Sequence, residues 1–281
     1  MLRIGFHVSI SDSINKSVDR AQKLGCTTFQ IFTRNPRSWI IRPLSDSDVS
    51  EFRRKLKLSR IKPVFSHMPY ISNLTSPDKT IWIKSVNSLI EEVYRCDQLG
   101  IPYIVTHLGS HMGLGLDFAL KQITRALESG VSNGKATILL ENSSGSGNHY
   151  GNTFEELRSI IDEINDQRIG VCLDTCHAYA SGYNLATKDG FNNSLNIIEK
   201  TLGLKHVKLV HLNDSKDPLG SRIDRHEHIG LGQIGDEGFR RILKSNLKKI
   251  PMVMETPIDE HLTDVDNMKK VKSLLNQTDK S

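Results

Sequence analysis

Short apolar runs, rich in β-branched and aromatic residues, recur along the chain with helical patterns between them. The runs occupy residues 3–9, 27–33, 62–68, 103–109, 136–142, 169–175, 205–213 and 251–256. Apolar residues at helical spacing mark residues 12–24, 78–99, 153 onward, 236–247 and 263–275. The ends carry helix signals: Asp12 as N-cap before a stop at Gly25, and Gly100-Ile101-Pro102 after the longest helix. Thr153-Phe154-Glu155-Glu156 places a carboxylate at the capping-box position. Eight strands alternate with about eight helical segments, roughly 35 residues per unit, so the sheet is expected to be parallel and covered by helices. Eight such units favour closure into a (β/α)8 barrel, a TIM barrel, over an open doubly wound sheet. The expectation is one domain over residues 1–281, with a frayed tail from Asn276.

One segment breaks the regularity. Residues 214–235 form a long polar stretch that contains Ser221-Arg222-Ile223-Asp224-Arg225-His226-Glu227-His228. Long ordered loops in compact domains are usually functional. Its end, Gly230-Leu231-Gly232-Gln233-Ile234-Gly235, matches the spacing of a dinucleotide fingerprint. That fingerprint needs a strand directly before it, and a charged loop stands there instead. The glycines are therefore read as turning the loop into a helix, with no nucleotide cofactor.

Composition narrows the class. Of 281 residues, 37% are hydrophobic and 25% charged, which excludes membrane and disordered chains. No apolar segment is long enough to cross a bilayer or to act as a signal peptide. Four scattered cysteines do not make a disulfide framework, and Cys172 and Cys176 read as buried thiols rather than a zinc pair. A cytoplasmic or equally reducing compartment is expected. The net charge of +5 permits an anionic partner without identifying one. Eleven histidines, by contrast, direct attention to metal ligands.

Those ligands fall in register. The third to eighth apolar runs end at or near His67, His107, Glu141, Asp174, His211 and Glu255, spaced by 40, 34, 33, 37 and 44 residues. In a barrel the strand C-termini converge on one face, so six distant residues form one ring. His7 extends the series without being needed as a ligand. Any single His or carboxylate at a strand end has a bland explanation, such as capping the next helix. Six in register do not, because packing them together without metal carries a large desolvation and repulsion cost. His177, three residues past Asp174, and the pair Asp224 and His226 add three more. Five imidazoles and four carboxylates suffice for three Zn²⁺ sites if one carboxylate bridges; Mn²⁺ is compatible with one of them. Three divalent ions against four carboxylates leave a formal +2, which attracts an anion.

The segment Gly170-Val171-Cys172-Leu173-Asp174-Thr175-Cys176-His177-Ala178-Tyr179-Ala180-Ser181-Gly182-Tyr183 resembles the signature of the endonuclease IV family of apurinic/apyrimidinic endonucleases. His211-Leu212-Asn213-Asp214-Ser215-Lys216, the 220–230 segment, His67-Met68-Pro69-Tyr70, His107-Leu108-Gly109-Ser110-His111, Leu140-Glu141-Asn142 and Met254-Glu255-Thr256-Pro257 are similar in turn. The resemblance implies a TIM barrel with three zincs. One would lie on His67, His107 and Glu141; one on Glu141, Asp174, His211 and Glu255, with Glu141 bridging; one on His177, Asp224 and His226. It implies DNA contacts from the loop Arg34-Asn35-Pro36-Arg37-Ser38-Trp39, with Arg37 inserted into the duplex and Tyr70 filling the gap at the lesion. Ile71-Ser72 departs from the family pattern after that tyrosine. Asn35, Arg225 and the nearby cations Arg34, Lys216 and Arg222 are placed on the same face as phosphate contacts. The implied reaction is attack of a metal-bound hydroxide on the phosphodiester 5′ to an abasic site in double-stranded DNA, by a monomer, leaving a 3′-hydroxyl and a 5′-deoxyribose phosphate. The alternative is a metal-dependent sugar isomerase or epimerase on a related barrel, which has no use for the His177, Asp224, His226 group.

Overall fold

The computed structural model describes residues 2–276. In chain order the elements are β1 (Ile4–Phe6), α1 (Lys16–Lys23), β2 (Phe29–Ile31), α2 (Asp46–Ser59), β3 (Val64–His67), α3 (Lys79–Leu99), β4 (Tyr103–Thr106), α4 (Leu116–Ser132), β5 (Thr137–Glu141), α5 (Phe154–Ile164), β6 (Ile169–Asp174), α6 (Thr175–Ala180), α7 (Lys188–Thr201) and β7 (Val207–His211). They continue through β8 (Asp214–Ser215), β9 (His226–Glu227), α8 (Gly235–Lys244), β10 (Met252–Met254) and α9 (Asp264–Asn276). Eight parallel strands run in the order β1-β10-β7-β6-β5-β4-β3-β2, and a parallel bridge between His7 and Gln30 brings the two edges together. The fold is the expected (β/α)8 barrel. Asn276, where fraying was expected, closes α9, and residues 277–281 lie outside the described residues.

Two apolar layers hold the barrel. Phe65, Val105, Leu139, Cys172, Leu209 and Val253 form a cluster inside it, one residue from each of six strands. A larger cluster packs the outward strand residues, among them Val64, Ile104, Ile138, Leu140, Val171 and Val210, against the helices. Strands buried on both faces read as continuous apolar runs.

The helix signals were only partly realised. Asp78 caps α3 by accepting from the amides of Thr80 and Ile81, and Gly100 at φ +73° ends it. Thr153 caps α5, but Glu156 reaches past it to the amide of Gly151, so the reciprocal half of the capping box is missing. Asp12 does not cap α1. It sits at φ +69° and takes a hydrogen bond from Arg20, and α1 begins at Lys16 without a side-chain cap.

Candidate metal centre

The period of two along each strand builds the site. Two residues after each interior apolar residue stands a ligand-type side chain on the same, inward side: His67 after Phe65, His107 after Val105, Glu141 after Leu139, Asp174 after Cys172, His211 after Leu209, Glu255 after Val253. The apolar layer is thus the floor of a polar ring. His107 and Glu255 lie one residue beyond β4 and β10 rather than within them.

The ring is tight. Buried Glu141 has Oε2 at 3.2 Å from His67 Nε2 and 3.0 Å from His107 Nε2, and Oε1 at 2.9 Å from His211 Nδ1. His211 Nδ1 also lies 3.4 Å from Glu255 Oε2 and 3.7 Å from Asp174 Oδ2. Asp224 Oδ1 lies 3.1 Å from His177 Nε2 and 3.4 Å from His226 Nε2. Ligands about 2.0–2.1 Å from a tetrahedral ion are separated by roughly 3.3 Å, so these spacings suit a shared cation. Burial opposes ionisation at Glu141 most strongly, but the His107 and His211 imidazoles outweigh it and hold the carboxyl well below the usual range. Burial likewise opposes charge on His177, yet Asp174 and Asp224 keep its imidazole well above the ordinary value. Asp224 is held at about 2, with burial overcome by His177 and His226.

The donor set fits metal on an observation independent of those distances. His177 Nε2 and His226 Nε2 are buried and have no hydrogen-bond partner, although Asp224 approaches both. Their other nitrogens donate to carbonyls, His177 Nδ1 to Asn142 O at 2.9 Å and His226 Nδ1 to Glu255 O at 3.0 Å. His67 Nδ1 does the same to Met68 O at 2.7 Å. His211 Nε2 donates to Gln30 Oε1 at 2.9 Å. Each ring is thereby held with its other nitrogen aimed into the cleft, the position at which a metal ion would replace a proton.

Side-chain amides support the ring, and of these Gln30 lies outside the segments that resemble the family. Gln30 also donates to Glu255 Oε1 at 2.7 Å, so one amide orients two ligand-type side chains. Asn213 donates to Asp174 Oδ2 at 2.7 Å and accepts from the Glu255 amide. Asp174 Oδ1 accepts from the His177 amide, so this residue caps α6 and faces the ring with its other oxygen. Side-chain amides are not usual zinc ligands and escape a search for them, but Asn142 and Asn213 follow Glu141 and His211 by one and two positions. Gln30→Leu is expected to lower Zn²⁺ affinity about 10–100-fold, measured by competition with a chelating dye, while the thermal transition of the chain stays cooperative.

The loop cations divide. Arg37 and Asn35 are exposed, and Asn35 Oδ1 accepts from the Arg37 amide at 2.9 Å, a turn that holds Arg37 outward. Tyr70 is 53% exposed and packs edge-on against Phe32 at 5.0 Å. Lys216 and Arg222 are exposed. Arg225 is exposed but paired with Asp217 through a 2.7 Å hydrogen bond. The expectation for Arg34 is corrected: it is buried, donates to Ser38 O and Ser88 Oγ, and lies beside Glu92, so it braces the loop and cannot reach a phosphate. The amides of the glycine-rich run are engaged within the chain. The amides of Gly230, Gly232, Ile234 and Gly235 all donate to the buried carboxylate of Asp214.

Comparison with known proteins places this geometry. Residues 18–277 match the model of the xylose isomerase-like TIM barrel family. A probable endonuclease 4 of Cenarchaeum symbiosum is 48% identical over 97% of this chain and 99% of that protein. The chain belongs to the endonuclease IV family. The crystal structure of endonuclease IV from Thermus thermophilus superposes with a TM-score of 0.87 at 37% identity, covering 97% of this chain and 98% of that one. Another family member, from Aquifex aeolicus, is 40% identical over 99% of this chain. A D-tagatose 3-epimerase-like protein, at 18% identity and a TM-score of 0.71, shares the fold alone. All four cysteines are buried and unpaired, and no helix among the described residues is long and apolar enough to cross a membrane.

Proposed function

We propose that the chain hydrolyses the phosphodiester bond on the 5′ side of abasic sites in double-stranded DNA. The observation that carries this reading is the third ligand group. His177, Asp224 and His226 converge beside the ring that His67, His107, Glu141, Asp174, His211 and Glu255 form. A sugar epimerase needs at most the latter. His67, His107 and Glu141 would hold one Zn²⁺; Glu141, Asp174, His211 and Glu255 a second; His177, Asp224 and His226 a third, with Mn²⁺ compatible with one position. What such ions supply is Lewis acidity, which lowers the pKa of water and offsets charge on phosphoryl oxygens.

The protein's own part is orientation. Glu141 shares its two oxygens between neighbouring groups, and the carbonyl-anchored imidazoles need no rearrangement to bind. Tyr70, with Arg37 nearby, stands beside the cleft of ≈ 350 Å³, where the phenol can occupy the space of a missing base. Burial pushes that phenol up to about 12, so it remains neutral beside a phosphate at physiological pH. An abasic nucleotide has lost its stacking and pairing and costs less to extrude than an intact one. The unpaired cysteines accord with a reducing, cytoplasmic setting, and the enzyme is read as a monomer.

The test is incision of a duplex carrying one tetrahydrofuran abasic analogue, with a matched undamaged duplex as control and metals counted by emission spectroscopy. Selective incision with three ions per chain is expected. An inert chain, or one saturated by two ions, would return the reading to the epimerase class. Tyr70→Ala is expected to reduce the preference for abasic over intact duplex about tenfold, through KM more than kcat, as the loss of one aromatic contact of about 1–3 kcal/mol.

A further inference from the structure

The face opposite the metal centre holds a second concavity. A cavity of ≈ 1100 Å³ opens at the N-terminal end of the strands, between α2 and the start of β3. β3 runs from Val64 in this cavity to His67 in the metal ring, so the two sites lie at opposite ends of one strand. Arg3, Arg53, Lys57, Arg60 and Lys62 line it, and no carboxylate does. Leu56, Pro63, Pro102 and Tyr103 form its accessible apolar floor, backed by the buried Ile61, Val64 and Leu99.

The cations of α2 separate by direction. Arg54 is bidentate to Glu51, and Lys55 pairs with Asp19. Arg53 and Lys57, four residues apart and lining the cavity, have no carboxylate partner among the described residues, nor do Arg60 and Lys62. Like charges at this helical spacing repel. The nearest relief for Arg53 is the carbonyl end of α3, where its guanidinium lies over Gly100. Arg3 is tied to the carbonyl of Lys249 and keeps its charge at the rim. An arrangement that concentrates unpaired charge of one sign around apolar surface is complementary to an anion that also carries an apolar group. A duplex backbone supplies charge but nothing to cover the floor.

We propose that this cavity docks an acidic peptide segment of a partner protein that carries an apolar side chain among its carboxylates. The carboxylates meet Arg53, Lys57, Arg60 and Lys62, and the apolar side chain covers Leu56 and Tyr103. Both faces of the barrel can then be occupied at once, since no residue is shared between them.

The probe is a fluorescein-labelled octapeptide of seven Asp and one Phe, titrated with the full chain and followed by anisotropy. Saturable binding that weakens with salt is expected. The double variant Arg53→Glu plus Lys57→Glu should weaken it about tenfold or more, and replacing Phe by Ser in the peptide should weaken it as well. Incision of the abasic duplex by this variant should match that of the unchanged chain, which also shows that it is folded. Arg53→Gln plus Lys57→Gln gives an intermediate loss and serves if the reversed charges impair folding. Absent binding, binding indifferent to either double variant, or an oligo-dT that binds more tightly than the peptide with the same dependence on Arg53 and Lys57 would each overturn the proposal; the last would make the cavity a nucleic-acid site.

Discussion

Glu141→Gln is expected to lower incision of an abasic duplex on the order of 10³-fold or more, with the fall in kcat, and to strip at least one metal ion from the chain. Glu141 is 2% exposed and stands between three imidazoles. Both oxygens are committed, Oε2 toward His67 and His107 and Oε1 toward His211. Glutamine keeps the shape but is neutral, offers one acceptor oxygen, and turns an amide nitrogen toward one of the imidazoles. It therefore cannot serve two adjacent cations. A loss of about 4 kcal/mol of charge stabilisation corresponds to roughly 10³ in rate. Single-turnover incision and metal content, measured on the same preparation, check this. Activity within tenfold of the unchanged chain, with three ions retained, would remove Glu141 from the role proposed for it. Glu141→Asp separates charge from reach: it restores the negative charge but is one methylene short, so recovery should be partial.

Asp214→Ala is expected to be the most destabilising single change in the loop after β7. The Asp214 carboxylate is fully buried and accepts from five backbone amides, those of Ser215, Gly230, Gly232, Ile234 and Gly235, at 2.8–3.3 Å. The packing is close: a Cβ on Gly232 would lie 2.6 Å from Asp214 Oδ1 and 2.4 Å from Ser215 O. Removing the carboxylate leaves several buried N–H groups without an acceptor, each at about 1–3 kcal/mol before relaxation. A net loss of about 3–5 kcal/mol, and a fall in Tm of roughly 10 °C, should follow. The same loop carries Asp224 and His226, so the ion assigned to His177, Asp224 and His226 should be lost preferentially. Thermal unfolding with metal counting tests both halves. A Tm within about 2 °C of the unchanged chain would mean that water or a shifted loop replaces the carboxylate. Asp214→Asn, which keeps one acceptor oxygen, should fall between the two.

The strands were legible in the sequence because each is a short β-branched run, and the ligand types were legible because His, Asp and Glu recur one barrel unit apart. Their supports were not. Gln30 lies in a run that reads as apolar core, and only the approach of β2 to His211 and Glu255 gives its amide two ligand-type side chains to hold. Arg34 reads as a loop cation, yet α3 supplies Ser88 and Glu92 beside its guanidinium and the residue is buried. Asp12 has the residue type of a helix cap, but the backbone there turns left-handed and α1 starts later. The glycine spacing of residues 230–235 is a phosphate-cradle pattern, and the anion it cradles is the chain's own Asp214.

By itself, the sequence determined the eight-unit alternation, the nine ligand-type side chains and the family. These are properties of residue type and spacing, which survive without knowledge of neighbours. It did not determine which side of each strand faces the barrel axis, because parallel strands buried on both faces lose the alternation that marks an inside and an outside. The tertiary structure settled that by closing the sheet. The inward row became Phe65, Val105, Leu139, Cys172, Leu209 and Val253, and the next inward position on each strand became the ring. Closure also created the second cavity. Arg3 lies about 50 residues before Arg53 and Lys62 in sequence and shares their rim only because β1 and β3 begin, and α2 ends, on the same face.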